Sequence, residues 1–240
     1  MFFPIRDDNP TRGTPWVTHG LIALNVAVFV VVSMGESVGR YWLTAWYGLV
    51  PTRLLADPFG EVVTVLTSMF MHGGVMHLAS NMWFLHIFGD NLEDVLGRAR
   101  YVAFYLLAGV AAAAAQVFTN TGSSLPMVGA SGAIAGVIGG YMVLYPKAPI
   151  LAFNTVPLLW LFMGIFLQLP AWVIACVFFG QNVLMALGGA GSAGVAIFAH
   201  LGGFVAGLLL IRPLLGRRQV QARVWGGWHT TRRRPPRFRR

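Results

Sequence analysis

The sequence predicts an all-α polytopic membrane protein, a bundle of six transmembrane helices with both termini on the cytoplasmic side. Three observations carry that reading. The 240 residues are 56% hydrophobic and only 10% charged, against about 25% charged in an ordinary soluble domain. The charges are segregated, so long uncharged runs recur, and a helix needs roughly 20 apolar residues to cross the hydrocarbon layer. The lysines and arginines fall almost entirely on one set of connecting segments. A soluble fold with a mean hydropathy of +0.66 would have to hide far too much apolar surface.

The elements follow in chain order. Residues 1–15 read as a cytoplasmic N-terminal segment, 16–215 as the membrane domain and 216–240 as a basic cytoplasmic tail. The first apolar run, Trp16–Met34, lacks a small-residue cleavage site before its polar exit, so it is expected to be retained as a span. The next runs are Val75–Leu96, Tyr101–Thr119 and Ser131–Tyr145, and the last is Ala193–Leu215. Between them, Ile150–Leu187 is long enough for two spans, with Pro157 and Pro170 as interruptions. Two spans there would put the arginine tail outside and invert the last helix. One tilted or Pro-interrupted span is therefore expected, with the surplus apolar residues at the cytoplasmic face.

Charge supports the count. With six spans, fifteen of the 17 Lys and Arg residues lie on one side, and only Arg40 and Arg53 on the other. The positive-inside rule places the crowded side, and both termini, in the cytoplasm. The tail from Arg217 holds nine arginines and no apolar periodicity. It reads as a topology-fixing segment that touches anionic lipid, and the high pI does not call for nucleic acid. The single Cys176 excludes a disulfide framework and is expected to be a small buried hydrophobe.

Polar groups inside spans are costly and are functional candidates by default. Three clusters qualify: Gly129-Ala130-Ser131-Gly132 at the start of the fourth run, Ala199-His200-Leu201-Gly202-Gly203 in the last, and His72 to His77 with Asn81 at the start of the second. Gly132, Gly136 and Gly140 line one helix face, as do Gly203 and Gly207, and small residues let membrane helices approach closely. The fourth and sixth spans run parallel. His200 lies about seven residues into its run, roughly 10 Å along the axis at 1.5 Å per residue. If the loop before Ser131 dips inward, the two side chains share one depth, and a Ser–His hydrogen bond there activates the hydroxyl as a nucleophile.

Either residue alone is more simply explained. A serine in a small-residue helix packs and bonds back to its own carbonyls, and a lone histidine in a span is a structural hydrogen-bonder. Their conjunction on glycine-lined faces points to acyl-transfer chemistry. His77 and Asn81, four apart on one helix face, add donors for an oxyanion, each worth roughly 10²–10³ in rate where measured. The Ser131 N–H supplies another, and Gly129 and Gly132 keep the approach to it open. A metal site would need His72, His77 and His200 as ligands. No His-Glu-x-x-His pattern and no acidic residue at that depth accompany them, so neither metal nor cofactor is expected.

These three motifs, in this order and on these runs, resemble the rhomboid protease family, and the similarity runs from about Thr18 to Leu214. The resemblance implies a six-helix core and a Ser131–His200 dyad without a carboxylate. It implies cleavage of transmembrane protein substrates near the outer face of a cell membrane, expected to be a prokaryotic inner or plasma membrane. It gives His77 and Asn81 an oxyanion role beside the Ser131 N–H, and makes His72 a structural tie for the first outer loop. Gly89-Asp90-Asn91-Leu92-Glu93 and Gly97 resemble the family's turn after the second span, where Glu93 is expected to cap a helix or pair with Arg98 or Arg100. Two positions depart from the pattern. Ala135 stands where many members carry an aromatic ring against the imidazole, and Arg40-Tyr41-Trp42 with Trp46-Tyr47 replace a Trp-Arg pair in the outer loop. Two other functions compete: a silent rhomboid-like binder, which loss of Ser or His would favour, and a transporter using the histidines, which expects acidic partners or repeated halves. His86 is expected to be a helix-packing group and His19 an interfacial residue.

Overall fold

The structure, a computed structural model, describes residues 2–35, 43–187 and 197–215. Arg40, Tyr41 and Trp42, the expected start of the last span at Ala193, and the basic tail at 216–240 lie outside the described residues. The described chain is mainly helical: α1 (Trp16–Met34), α2 (Pro51–Ala56), α3 (Pro58–Thr67), α4 (Val75–Leu96), α5 (Arg98–Thr119), α6 (Ser131–Leu144), α7 (Ala171–Leu187) and α8 (Ile197–Leu214). Helices α1, α5 and α8 are each long and apolar enough to cross a membrane. Helix α4 qualifies together with Pro58–Phe70, from which it is bent by 79°, and α6 and α7 are shorter apolar helices. Each of the apolar runs thus contains a helix among the described residues, of which three pass as spans by length and composition, or four with the bent pair.

Among the described residues, helices α5, α6 and α8 make the most extensive helix contacts, because their facing positions carry almost no side chain. A Cβ on Gly203 would collide with the Gly132 carbonyl, and one on Gly207 with the Gly136 backbone. Gly132 and Gly136 in turn face Ala112 and Ala108 of α5. The ascending pairs Gly132–Gly203 and Gly136–Gly207 make α6 and α8 parallel, while the descending alanines make α5 antiparallel to both. In lipid no hydrophobic force separates helix–helix from helix–lipid contact, so close packing of small residues holds such a trio together. Larger buried groups, among them Leu85, Phe88 and Leu92 of α4 and Tyr101 and Phe104 of α5, fill the space around it.

Two short-range devices set the helix junctions. Gly97 adopts φ 75° and serves at once as the end of α4 and the start of α5, a left-handed conformation that glycine tolerates without Cβ strain. Pro15 precedes α1 without a side-chain cap. Glu93 of α4 supplies one instead: its carboxylate accepts from Val17 N at 2.9 Å, Thr18 N at 2.8 Å and Thr18 Oγ1 at 2.9 Å. Of the two roles expected of Glu93, capping is the one the structure contains, and the helix capped is distant in sequence. The negative group also sits at the positive end of the α1 dipole.

At the end of the bundle away from Ser131, the chain forms a feature the helical reading did not include. Strands β1 (Phe2–Asp7), β2 (Pro149–Asn154) and β3 (Phe166–Pro170) make an antiparallel sheet in the order β1-β2-β3. The surplus apolar residues of Ile150–Leu187 are thus β2, β3 and the turn between them, and one helix, α7, begins after Pro170. In β2 the alternate residues Ile150, Ala152 and Asn154 are fully buried, the period-two pattern of a strand with one face on a core. Trp83 Nε1 of α4 donates to the Pro4 carbonyl at 2.8 Å and ties β1 to the helices.

Asp7 closes this junction. Its Oδ2 accepts from Tyr141 Oη of α6 at 2.7 Å and from Asn91 Nδ2 of α4 at 2.8 Å. Burial, reinforced by the nearby carboxylates of Asp90 and Asp8, pushes the Asp7 carboxyl up from 3.8 to about 7 against the hydrogen bond from Tyr141. The folded state therefore holds this proton more tightly than the unfolded chain does. Its contribution to stability is complete below about pH 4 and is lost as pH rises through about 7. Thermal unfolding in detergent should accordingly show the melting temperature falling across that window. Asp7→Asn should flatten this dependence and melt higher than the wild type at pH 8.

Candidate active site

The last residues of the loop before α6, Met127 to Ala130, pack into the protein, while Thr121 to Pro126 are mostly exposed. Leu49 and Met127 exchange backbone hydrogen bonds at 3.0 and 2.8 Å, and Gly129 N donates to the Ser68 carbonyl at 2.9 Å. The outer loop that receives it is pinned by Arg53, which donates to the Ala45 carbonyl at 2.5 Å and pairs with Glu61 at 2.7 Å. Gly129 has φ 129°, and a Cβ there would also press on the His77 ring. Its hydrogen atom is required on both grounds.

Ser131 is the first residue of α6 and His200 lies in the first described turn of α8. The parallel α6–α8 contact brings them together, with His200 Nε2 2.8 Å from Ser131 Oγ. Both are half-buried and line a cavity of about 480 Å³ that His77, Asn81 and Phe178 also line. As the first helical residue, Ser131 has a backbone N–H without an intrahelical acceptor. His77 and Asn81 lie one turn apart on α4. Asn81 is buried, and its Nδ2 makes no hydrogen bond to the described residues, which is unusual for a buried amide. His72 is buried edge-on against His77, ring centroids 5.1 Å apart.

Of the two glycines read as keeping the approach open, Gly129 faces His77 and Ser131 Oγ, whereas Gly132 faces a neighbouring helix. Gly132 is spent on the contact with Ala112 and Gly203, and it opens no path to the hydroxyl. Ala135 is fully buried. The ring missing there is supplied by Phe178 of α7, 5.8 Å from the His200 ring and tilted by 46°. Asn182, one turn further along α7, places its Oδ1 2.6 Å from His200 Nδ1. Gln116 of α5 accepts from Ala199 N at 3.2 Å, satisfying an early N–H of α8.

Neither Asn182 nor Phe178 was singled out from the sequence. Asn182 was detectable in principle, since Gln181-Asn182 is a polar pair in an otherwise apolar run. Two further expectations are corrected. Cys176 is exposed, because α7 packs mainly through the face that carries Ile174, Ala175 and Asn182. His86 also points outward from α4, and its neighbours Leu85, Ile87 and Phe88 do the packing. His19 is exposed near the start of α1, as expected of an interfacial residue. Among the described residues no cluster of three His, Cys, Asp or Glu side chains is arranged to hold a metal ion.

A helical membrane bundle with a serine and a histidine paired at the top of two glycine-packed helices defines a small class of proteins. Residues 60–217 match the model of the rhomboid domain, and the chain belongs to the rhomboid family. It is 35% identical over 133 residues to the rhomboid protease GluP of Bacillus subtilis, a match covering 55% of this chain and 25% of that protein. To RHOMBOID-like protein 1 of Arabidopsis thaliana it is 27% identical over 235 residues, 84% of this chain and 55% of that one. To the mitochondrial rhomboid protein 1 of Saccharomyces cerevisiae it is 30% identical over 142 residues, 57% and 39% of the two chains. The chain spans between a quarter and just over half the length of these relatives.

Proposed function

We propose that the chain is an intramembrane serine endopeptidase that cleaves transmembrane protein substrates near the outer face of a cell membrane. The observation that carries this reading is the 2.8 Å approach of His200 Nε2 to Ser131 Oγ at the wall of a cavity. Membership of the rhomboid family, with a protease among the similar relatives, supports it. With six spans the charge count supports the orientation: fifteen of the 17 cations would lie on the side of the termini, the side the positive-inside rule makes cytoplasmic, with Ser131 toward the outside.

The chemistry follows from the groups present. A helical peptide bond is internally hydrogen-bonded and shielded, so the substrate must unwind locally before attack. His200 Nε2 accepts the Ser131 hydroxyl proton as Oγ bonds to the carbonyl carbon. The oxyanion is held by the Ser131 N–H, His77 and Asn81, of which Asn81 brings a buried, uncommitted N–H. Donors already in place at a developing charge need no reorganisation in the transition state. His200 then protonates the departing amine, leaving an ester on Ser131. Water, its proton taken by His200, attacks that ester; the acyl–Oγ bond breaks, His200 returns the proton to Ser131 Oγ, and the acid is released. His72 holds no reacting atom in this scheme and braces His77 through its ring.

A fluorophosphonate probe and a panel of single-span proteins in reconstituted liposomes test the reading together. Wild type should be labelled and should cut a member of the panel, whereas His200→Ala should do neither. Labelling without cleavage of any transmembrane substrate would favour a membrane-protein binder. For the oxyanion, Asn81→Ala should lower turnover by about 10–10³-fold, as for one lost donor, while remaining measurable. Total loss, with thermal unfolding unchanged, would assign Asn81 another role.

A further inference from the structure

We infer that Asn182 is a positioning residue that fixes the tautomer and ring plane of His200, a role that rests on the Ser131–His200 reading above. Asn182 Nδ2 donates to the Phe178 carbonyl at 2.8 Å, one helical turn back on α7. That bond uses the amide's donor end, so the end facing His200 Nδ1 at 2.6 Å is the carbonyl Oδ1. A carbonyl oxygen only accepts, which requires the proton on Nδ1. Nε2 is then the bare nitrogen, and it is the one facing Ser131 Oγ. The neutral imidazole is thereby set as a base toward the serine.

Position is constrained as well as protonation. The Phe178 ring lies against the imidazole, and Asn182 is itself buried. Two residues of α7 thus hold the ring by its plane and by one nitrogen, beside the buried Ala135 that offers no ring from α6. Because the acceptor is an uncharged amide, it directs the proton without bringing a carboxylate into an apolar span, where an ion is costly. After proton transfer both ring nitrogens are donors, and the Oδ1 contact persists. No group moves between the two protonation states.

The experiment uses full-length protein in detergent with ¹⁵N-labelled histidine, the His200 signals being assigned by their loss in His200→Ala. Wild type should show a protonated Nδ1 and a bare Nε2. Asn182→Leu keeps much of the side chain's bulk without the acceptor; it should yield a mixture of tautomers and lower kcat by about 10–100-fold, as for one hydrogen bond to a group that becomes charged. KM should stay within about twofold. Asn182→Asp restores an acceptor and should return Nδ1 protonation, with kcat recovering only in part because a buried carboxylate is costly there. A wild-type spectrum with the proton on Nε2 would overturn the inference whether or not the protein cleaves anything. So would a leucine variant with unchanged tautomer, or an aspartate variant as impaired as the leucine one. Failure of the protease reading shows separately, as wild-type turnover no greater than that of Ser131→Ala.

Discussion

Ser131→Ala is expected to lower turnover of a transmembrane substrate by at least about 10⁴-fold and to abolish fluorophosphonate labelling. The magnitude follows from what is removed. No other hydroxyl lies within hydrogen-bond reach of His200 Nε2 among the described contacts, so no second nucleophile can take over. What survives is the donor set around the oxyanion, which in serine hydrolases supports only a small residual rate. Nucleophile and base act as one unit, so His200→Ala should cost about as much, and the double variant little more than either. Such non-additivity is a sharper test than the size of the loss, because two independent contributions would multiply. Labelling of the alanine variant, or a double variant far slower than both singles, would break the assignment.

Gly207→Leu is expected to be the most destabilising single change in the bundle, by about 3 kcal/mol or more, a forced-overpacking cost at the upper end of its usual range. The first added atom would overlap the carbonyl, carbon and Cα of Gly136, and backbone has no rotamer to retreat into. The helices must separate, and every contact from Gly132–Gly203 onward loosens with them. Ser131 and His200 lie on the same pair of helices, one to two turns from Gly136 and Gly207. Loss of labelling should therefore accompany the lower melting temperature. Leucine at Gly180, where an added Cβ would meet nothing within 4 Å, is the control: both readouts should stay near wild type. Unfolding and labelling in detergent, measured on the same samples, check the pair.

The two changes also show what could be read before the fold was known. Apolar runs mark the helices because composition alone decides whether a segment suits lipid, and α1 and α4 begin and end where the runs do. Glycines four apart mark close-packed faces because helical periodicity is rigid. The sheet escaped because short apolar stretches such as Pro149–Asn154 look alike as strand or helix, and β1 becomes a strand only through pairing with β2, over a hundred residues away. Asn182 escaped for a related reason. A single amide in an apolar run acquires meaning only when its partner nitrogen, 18 residues on, is placed beside it. Capping was one of two roles read for Glu93, but the helix it caps precedes it by some 75 residues, a separation no local pattern reveals.

That separation has a bearing on how the molecule is made. When α1 leaves the ribosome its first turn has no cap, since Pro15 offers none and Glu93 has yet to be synthesised. At about 5–20 residues per second the carboxylate follows roughly 4–15 s later. The arrival of α4 then locks its first turn through three hydrogen bonds. Helix α1 thus gains the cap on its first turn only after α4 has been made.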